Sequence, residues 1–247
     1  MGSVREFYDE ISSTQDRALE LARSGAAEGT TVVARRQTLG RGRHGHRWEA
    51  PEGGLYLSIV LSSPSPAEPL LPLALGAGLA ETFGDGANSP IRVKWPNDVL
   101  VVPPVGRSRK LAGILVDRIP SPTLESAAVA GIGVNVSVDP GSYPRSMASS
   151  IVGLAELISP APTLELVERK VVSTVLETVE RLRDPSGRAE TLGLCRRLLW
   201  GVGLPAEIDG RPVGRIVALG EAGELWVEED GDRVPIRAGD LRVVEPS

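Results

Sequence analysis

Apolar residues recur along the chain at two spacings, and the changes between them mark its elements. Ala18, Leu19, Leu21 and Ala22 form a helical stripe behind Ser12-Ser13-Thr14-Gln15, where Ser12 and Gln15 have capping-box spacing. Gly25 ends that helix. Thr31 to Ala34 reads as a strand, as does Leu55 to Leu61, entered through Gly53-Gly54. Pro64, Pro66 and Pro69 interrupt the pattern. A helix of small residues is expected over 71–83, with Gly76 and Gly78 permitting close packing. Three short strands are expected at 91–95, 99–102 and 110–117, with a Pro96-Asn97-Asp98 turn after the first and a 103–109 loop before the last. A longer strand segment spans 125–138.

Helical spacing then dominates. A short helix is expected over 149–157 and a linker over 159–162. A long helix follows from a Thr163 cap to about Arg183, and another spans 188–200. From Pro205 the chain turns to Val, Ile and Gly with turns at Asp209-Gly210, Glu221-Ala222-Gly223 and Asp230-Gly231, about five short strands suited to a small barrel. The fold class expected is α+β: a mainly antiparallel or mixed sheet flanked by helices at 1–201, then a small β-barrel at 202–247.

Composition narrows the function classes. In 247 residues, 41% are hydrophobic and 24% charged, an ordinary globular balance. The net charge of −5 disfavours a general nucleic-acid binder. One cysteine, Cys195, excludes an internal disulfide and suits a reducing compartment. Two histidines and one cysteine make no zinc cluster, so no metal site is assigned. No apolar run approaches the roughly 18 residues of a membrane helix. Arg5, Glu6 and Asp9 leave no apolar signal segment near the start, and a cytoplasmic setting is expected.

Against that acidic background, residues 35–48 gather Arg35, Arg36, Arg41, Arg43 and Arg47 around Gly40, Gly42 and Gly45. Guanidinium forks spaced by glycine read either as a solvated basic turn or as a loop that closes over an anion and excludes water. Lys94-Trp95-Pro96-Asn97-Asp98 offers a cation, an aromatic plane, an amide and a carboxylate within one turn. Lys110 opens an apolar strand beside Arg107 and Arg109. Each also has a structural reading, as core, solvated charge or simple turn. Gly131-Ile132-Gly133 is no dinucleotide fingerprint, because neither a helix nor a spaced acidic residue follows. It reads as close strand packing.

Taken together, Ser12-Ser13-Thr14, Gln37, Gly40-Arg41-Gly42-Arg43 with Gly45, Lys94 to Asp98, Lys110 to Leu115 and Gly131 to Asn135 resemble the biotin–protein ligase family, in the form lacking an N-terminal DNA-binding domain. The resemblance implies a class II synthetase-like domain with a C-terminal SH3-like barrel. It implies two reactions: ATP and biotin yield biotinyl-5′-AMP, and a lysine of a biotin carboxyl carrier protein domain then takes the biotinyl group. Biotin would contact Ser13, Thr14, Gln15, Gln37, Arg41, Gly42, Arg43, Lys110 and Gly113. ATP would contact Arg41, Arg43, Trp48 (over adenine), Lys94, Asn97, Lys110 and Asn135, with Mg²⁺ shielding pyrophosphate. Lys110, Arg43 and Asp98 would carry catalysis.

The chain departs from the family pattern in His44 and His46, where arginines are common, and in the longer 103–109 loop. Arg242 is the nearest counterpart of a C-terminal arginine that touches ATP. A homodimer is expected, and neither DNA nor a membrane as partner. The competing readings are a lipoate–protein ligase-like transferase, whose Arg-Arg/Gly-Gly-Gly and His-Asp signature is missing, and a non-catalytic binding module.

Overall fold

The computed structural model describes residues 2–62, 70–120 and 127–245. The three prolines at 64, 66 and 69 and the start of the expected 125–138 strand lie outside them. In chain order the elements are β1 (Arg5–Ile11), α1 (Thr14–Arg23), β2 (Thr31–Gln37), β3 (Gly54–Ser62), α2 (Leu71–Gly84), β4 (Ile91–Lys94), β5 (Asp98–Val101), β6 (Arg109–Ile119) and β7 (Ala127–Asn135). Then come α3 (Arg145–Ala148), α4 (Leu164–Arg183), α5 (Pro185–Leu198), β8 (Pro205–Ile208), β9 (Arg211–Leu219), β10 (Leu225–Glu229), β11 (Asp232–Ile236) and β12 (Leu241–Val243).

The first seven strands form one sheet in the order β1-β2-β3-β7-β6-β5-β4. Every pair is antiparallel except β1 with β2, which α1 joins as a crossover. Alternation splits the strands between two cores. Val33, Leu57, Ile59 and Ile132 face the cluster covered by α2, α4 and α5, whereas Val32, Val60 and Val129 pack on Ala18, Leu19 and Ala22 of α1. Because α1 covers only part of its face, the rest is left for a cleft. At Gly78 an added Cβ would come within 2.9 Å of both Thr174 and Thr178, so this glycine sets the α2–α4 approach.

β8 to β12 make a second, antiparallel sheet in the order β11-β10-β9-β8-β12. The expected barrel is not closed: no ladder joins β11 to β12 among the described residues. The main apolar core nevertheless continues into this sheet through Ala206, Ile216, Leu225 and Val243.

Local expectations fail at several points for identifiable reasons. β1 is not among the expected strands, because its charged residues fall in adjacent pairs, Arg5-Glu6 and Asp9-Glu10, without strand alternation; parallel pairing with β2 holds it. Arg35 and Arg36 belong to β2, facing Asp9 at 3.6 Å and Glu10 at 3.4 Å across the ladder, and are not part of the loop. The cap of α1 is Ser13, which accepts from Asp16 N at 3.3 Å. Ser12 instead gives its carbonyl to Leu39, so there is no Ser12–Gln15 capping box. The helix expected over 149–157 is not formed: α3 ends at Ala148, Ile151 bridges Lys110 and a single 3₁₀ turn follows at Leu154–Glu156, because the backbone here pairs with the start of β6. α5 begins earlier than expected because Asp184 caps it through Gly187 N.

Candidate active site

The cleft opens on the α1 face of the large sheet, with a volume of about 280 Å³. Three glycines clear its floor. Gly113 and Gly133 are cross-strand partners, and a Cβ on either would come within 2.7 Å or 2.5 Å of the Trp48 ring. A Cβ on Gly131 would come within 2.5 Å of Gln15 Oε1. Ile132 between them faces the opposite core. The Gly-Ile-Gly run thus alternates a bare cleft floor with a filled core, as the period of a strand requires.

One end of the cleft is a connected set of neutral groups. Gln37 Oε1 accepts from Thr14 N at 2.8 Å and from Thr14 Oγ1 at 3.1 Å. Thr14 Oγ1 lies 2.9 Å from Ser58 Oγ, which donates to Gln15 Oε1 at 3.0 Å. Thr14, Gln15 and Ser58 are buried, so each polar group needs the partner it has.

The other end is cationic. Lys110 Nζ lies 2.7 Å from Asp98 Oδ1, and Lys94 approaches the same carboxylate at 3.7 Å. Lys110 Nζ also sits 5.0 Å from the centroid of the Trp48 ring, a cation–π arrangement. Asn97 donates to Ile114 O at 2.8 Å and accepts from Arg43 Nη1 at 3.3 Å. Among the described residues Trp48 Nε1 is buried without a hydrogen-bond partner.

The arginine segment is a tight hairpin over this cleft. Arg41 and Arg47 form an antiparallel bridge, Gly42 N donates to His46 O at 2.7 Å, and Trp48 N donates to Gly40 O at 2.9 Å. His44 turns the tip at φ 52°. A Cβ on Gly40 would approach Trp48 O to 2.4 Å, so the glycine spacing is what lets the two limbs close. Arg41 bridges Asp16 at 2.8 Å and Asp117 at 3.4 Å, beside the neutral end. Asp240 of the small sheet receives Arg43 at 3.7 Å, His44 at 3.9 Å and His46 at 3.3 Å at the cationic end. The C-terminal region makes one further contact with a residue lining the cleft, Trp95 Nε1 donating to Gly223 O, and one beside it, Glu245 accepting from both Ser108 N and Ser108 Oγ.

Of the residues singled out from sequence, Thr14, Gln15, Gln37, Arg41, Gly42, Arg43, Trp48, Lys94, Asn97, Asp98, Lys110 and Gly113 line the one cleft. Three stand apart from its wall. Ser13 is spent on capping α1. Asn135 is buried, donating to Lys110 O and accepting from Tyr143 Oη. Arg242 pairs with Glu207 on the small sheet. Burial pushes the Tyr143 hydroxyl up to about 12 and that of Tyr56 higher still, so both are neutral donors at physiological pH. Tyr56 Oη donates to Pro51 O at 2.6 Å.

Sequence reasoning missed Tyr56, Ser58, Asp117 and Asp240. Ser58 left a signal, a lone hydroxyl inside an apolar strand. Asp240 left none, because it reaches the cleft only through packing between distant segments.

Among the described residues no three His, Cys, Asp or Glu side chains gather to hold a metal. Asp98, Asp117 and Asp240 are each engaged by cations, so they form no cradle for Mg²⁺.

The model of the Biotin/lipoate A/B protein ligase family matches residues 7–135. The "Bifunctional ligase/repressor BirA" of Bacillus subtilis is 29% identical, over 98% of this chain and 75% of its own length. The "Biotin--[acetyl-CoA-carboxylase] ligase" of Mycobacterium tuberculosis is 28% identical, over 94% of this chain and 86% of its own. Among solved structures, a biotin protein ligase from Aquifex aeolicus in complex with biotin and ATP superposes with a TM-score of 0.81 at 28% identity. That match covers 98% of this chain and all of the other.

Proposed function

The chain belongs to the biotin/lipoate A/B protein ligase family, and on that premise we propose that it is a biotin–protein ligase. It uses ATP to form biotinyl-5′-AMP and passes the biotinyl group to a lysine of a biotin carboxyl carrier domain. The observation that carries the reading is the two-ended cleft. A neutral set of hydroxyls and amides suits an uncharged ureido ring. Lys110, Lys94 and Arg43 suit the place where a carboxylate must meet a phosphate. The names of the similar proteins support the same substrates.

In the first step a carboxylate oxygen attacks the α-phosphorus. The new C–O–P linkage forms as the bond to pyrophosphate breaks. Charge accumulates on the phosphoryl oxygens, and Lys110 and Arg43 offset it, one such preorganised donor being worth about 3–4 kcal/mol. Asp98 holds Lys110 at 2.7 Å and so fixes where that charge sits. The Trp48 ring, laid on Gly113 and Gly133, offers a flat surface to adenine. In the second step the uncharged acceptor amine attacks the acyl carbon, the C–O bond to AMP breaks and AMP leaves, and Asp98 accepts the proton that the amine nitrogen gives up. The hairpin covers the mixed anhydride and keeps water from it.

Roles for Ser13 and Asn135 are indirect in this scheme: they hold α1 and the start of β6. The chain forms a homodimer in this proposal, supported by β1, which ends the sheet with Phe7 46% exposed. Sedimentation velocity tests it, and a monomer at micromolar concentration ends it. No helix among the described residues is long and apolar enough to cross a membrane. Dependence on ATP and a lone thiol support a cytoplasmic setting. The deciding experiment is ATP–pyrophosphate exchange with biotin and, separately, lipoate. Exchange with biotin alone is expected. Exchange with lipoate alone selects the rival transferase, and exchange with neither leaves a binding module.

A further inference from the structure

We propose that Asp117 is a positioning residue with two tasks: it sets the hydrogen-bond polarity of the neutral end and latches the arginine hairpin above it. The ligand named rests on the biotin reading, but the contacts do not. Asp117 lies near the far end of β6, opposite Val129 of β7, outside every motif discussed above.

The first task follows from counting protons. The two hydrogens of the buried Gln15 Nε2 go to Asp117 Oδ2 at 3.1 Å and Val129 O at 3.0 Å. Both partners only accept, so the amide has one orientation. Oε1 then faces Gly131, where there is room for it, and takes the Ser58 proton. With that proton committed, the single hydroxyl proton of Thr14 is shared between Ser58 Oγ at 2.9 Å and Gln37 Oε1 at 3.1 Å. The hydroxyls of Ser58 and Thr14 are left with lone pairs, while Gln37, whose Oε1 is occupied by Thr14 N, has its Nε2 left to donate. Such a wall accepts from ring N–H groups and donates to a ring carbonyl, the pattern a ureido ring needs.

The second task is electrostatic. The same carboxylate lies 3.4 Å from Arg41 Nη2, and Asp16 takes Arg41 Nη1 at 2.8 Å. One residue therefore links the floor of the cleft to its cover.

Two measurements test both tasks. In steady-state exchange, Asp117→Ala raises the KM for biotin about tenfold, the effect of one buried hydrogen bond lost. The KM for ATP stays within about twofold. Asp117→Glu restores the biotin KM. In the ligand-free protein, limited trypsin digestion read by mass spectrometry shows cleavage after Arg41, Arg43 and Arg47 rising about fivefold in Asp117→Ala, the scale of an exposed ion pair. A wild-type KM for biotin, or wild-type cleavage of the ligand-free variant, overturns the proposal. Absence of biotin-dependent exchange in the unmutated protein would instead refute the functional reading, and the trypsin comparison still decides Asp117.

Discussion

The two ends of the cleft are built on opposite principles. At one end Thr14, Gln15 and Ser58 are buried and their donors meet acceptors within the fold, so recognition there is by fixed neutral dipoles. At the other, Lys94, Lys110, Arg43, Asp98 and Asp240 are partly exposed and paired as ions. Buried neutral networks lose much when one member is removed, because the remaining partners stay desolvated. Exposed ion pairs lose little individually and are screened by salt. A neutral ring thus meets a rigid wall, and a multiply charged nucleotide meets groups already balanced by carboxylates that can exchange partners.

The largest effect expected concerns the lysine held between Asp98 and the Trp48 ring. Lys110→Ala should lower biotin-dependent pyrophosphate exchange about 10²- to 10³-fold, the cost of one oxyanion donor. A smaller loss than tenfold would remove Lys110 from the chemical step. A paired substitution then separates the ends. Gly131→Ala drives a Cβ against Gln15 and should raise the KM for biotin about tenfold, whereas Gly133→Ala drives one against Trp48 and should raise the KM for ATP about tenfold. Equal effects of both on both substrates would erase the distinction. Ser58→Ala strands Gln15 Oε1 and should cost about 1–3 kcal/mol of stability, read as a lowered midpoint in urea, with a weaker grip on biotin. The smallest effect belongs to Asp240→Ala, about 2- to 5-fold in the KM for ATP and fading above 0.5 M salt, roughly, as exposed pairs do. An effect of that substitution on biotin alone would contradict the division.

Much of this was legible beforehand. The strand at 55–61, the turn at 96–98, the apolar strand after Lys110 and the long helix from Thr163 follow from local periodicity and capping, and the structure has them with small shifts at the ends. The segments carrying the family resemblance do converge on one cleft. What local reasoning misjudged was mostly polar. β1 was unreadable because its pairing partner supplies its order. The Gly-Ile-Gly run was read as packing, and so it is, but what packs on it is Trp48 and Gln15 rather than another strand.

The amino-acid sequence by itself determined which chemistry was on offer: a glycine-spaced run of guanidinium groups, a strand lysine, and short hydroxyl and amide residues ahead of a helix. These are properties of residue type and neighbour spacing, which local physics reads. Only the tertiary structure decided that Asp117 and Asp240, lying 123 positions apart by their numbers, take opposite ends of one hairpin, and which way the side-chain amide of Gln15 points. Ion-pair partners and hydrogen-bond directions depend on distances across the fold, and no local pattern encodes those distances.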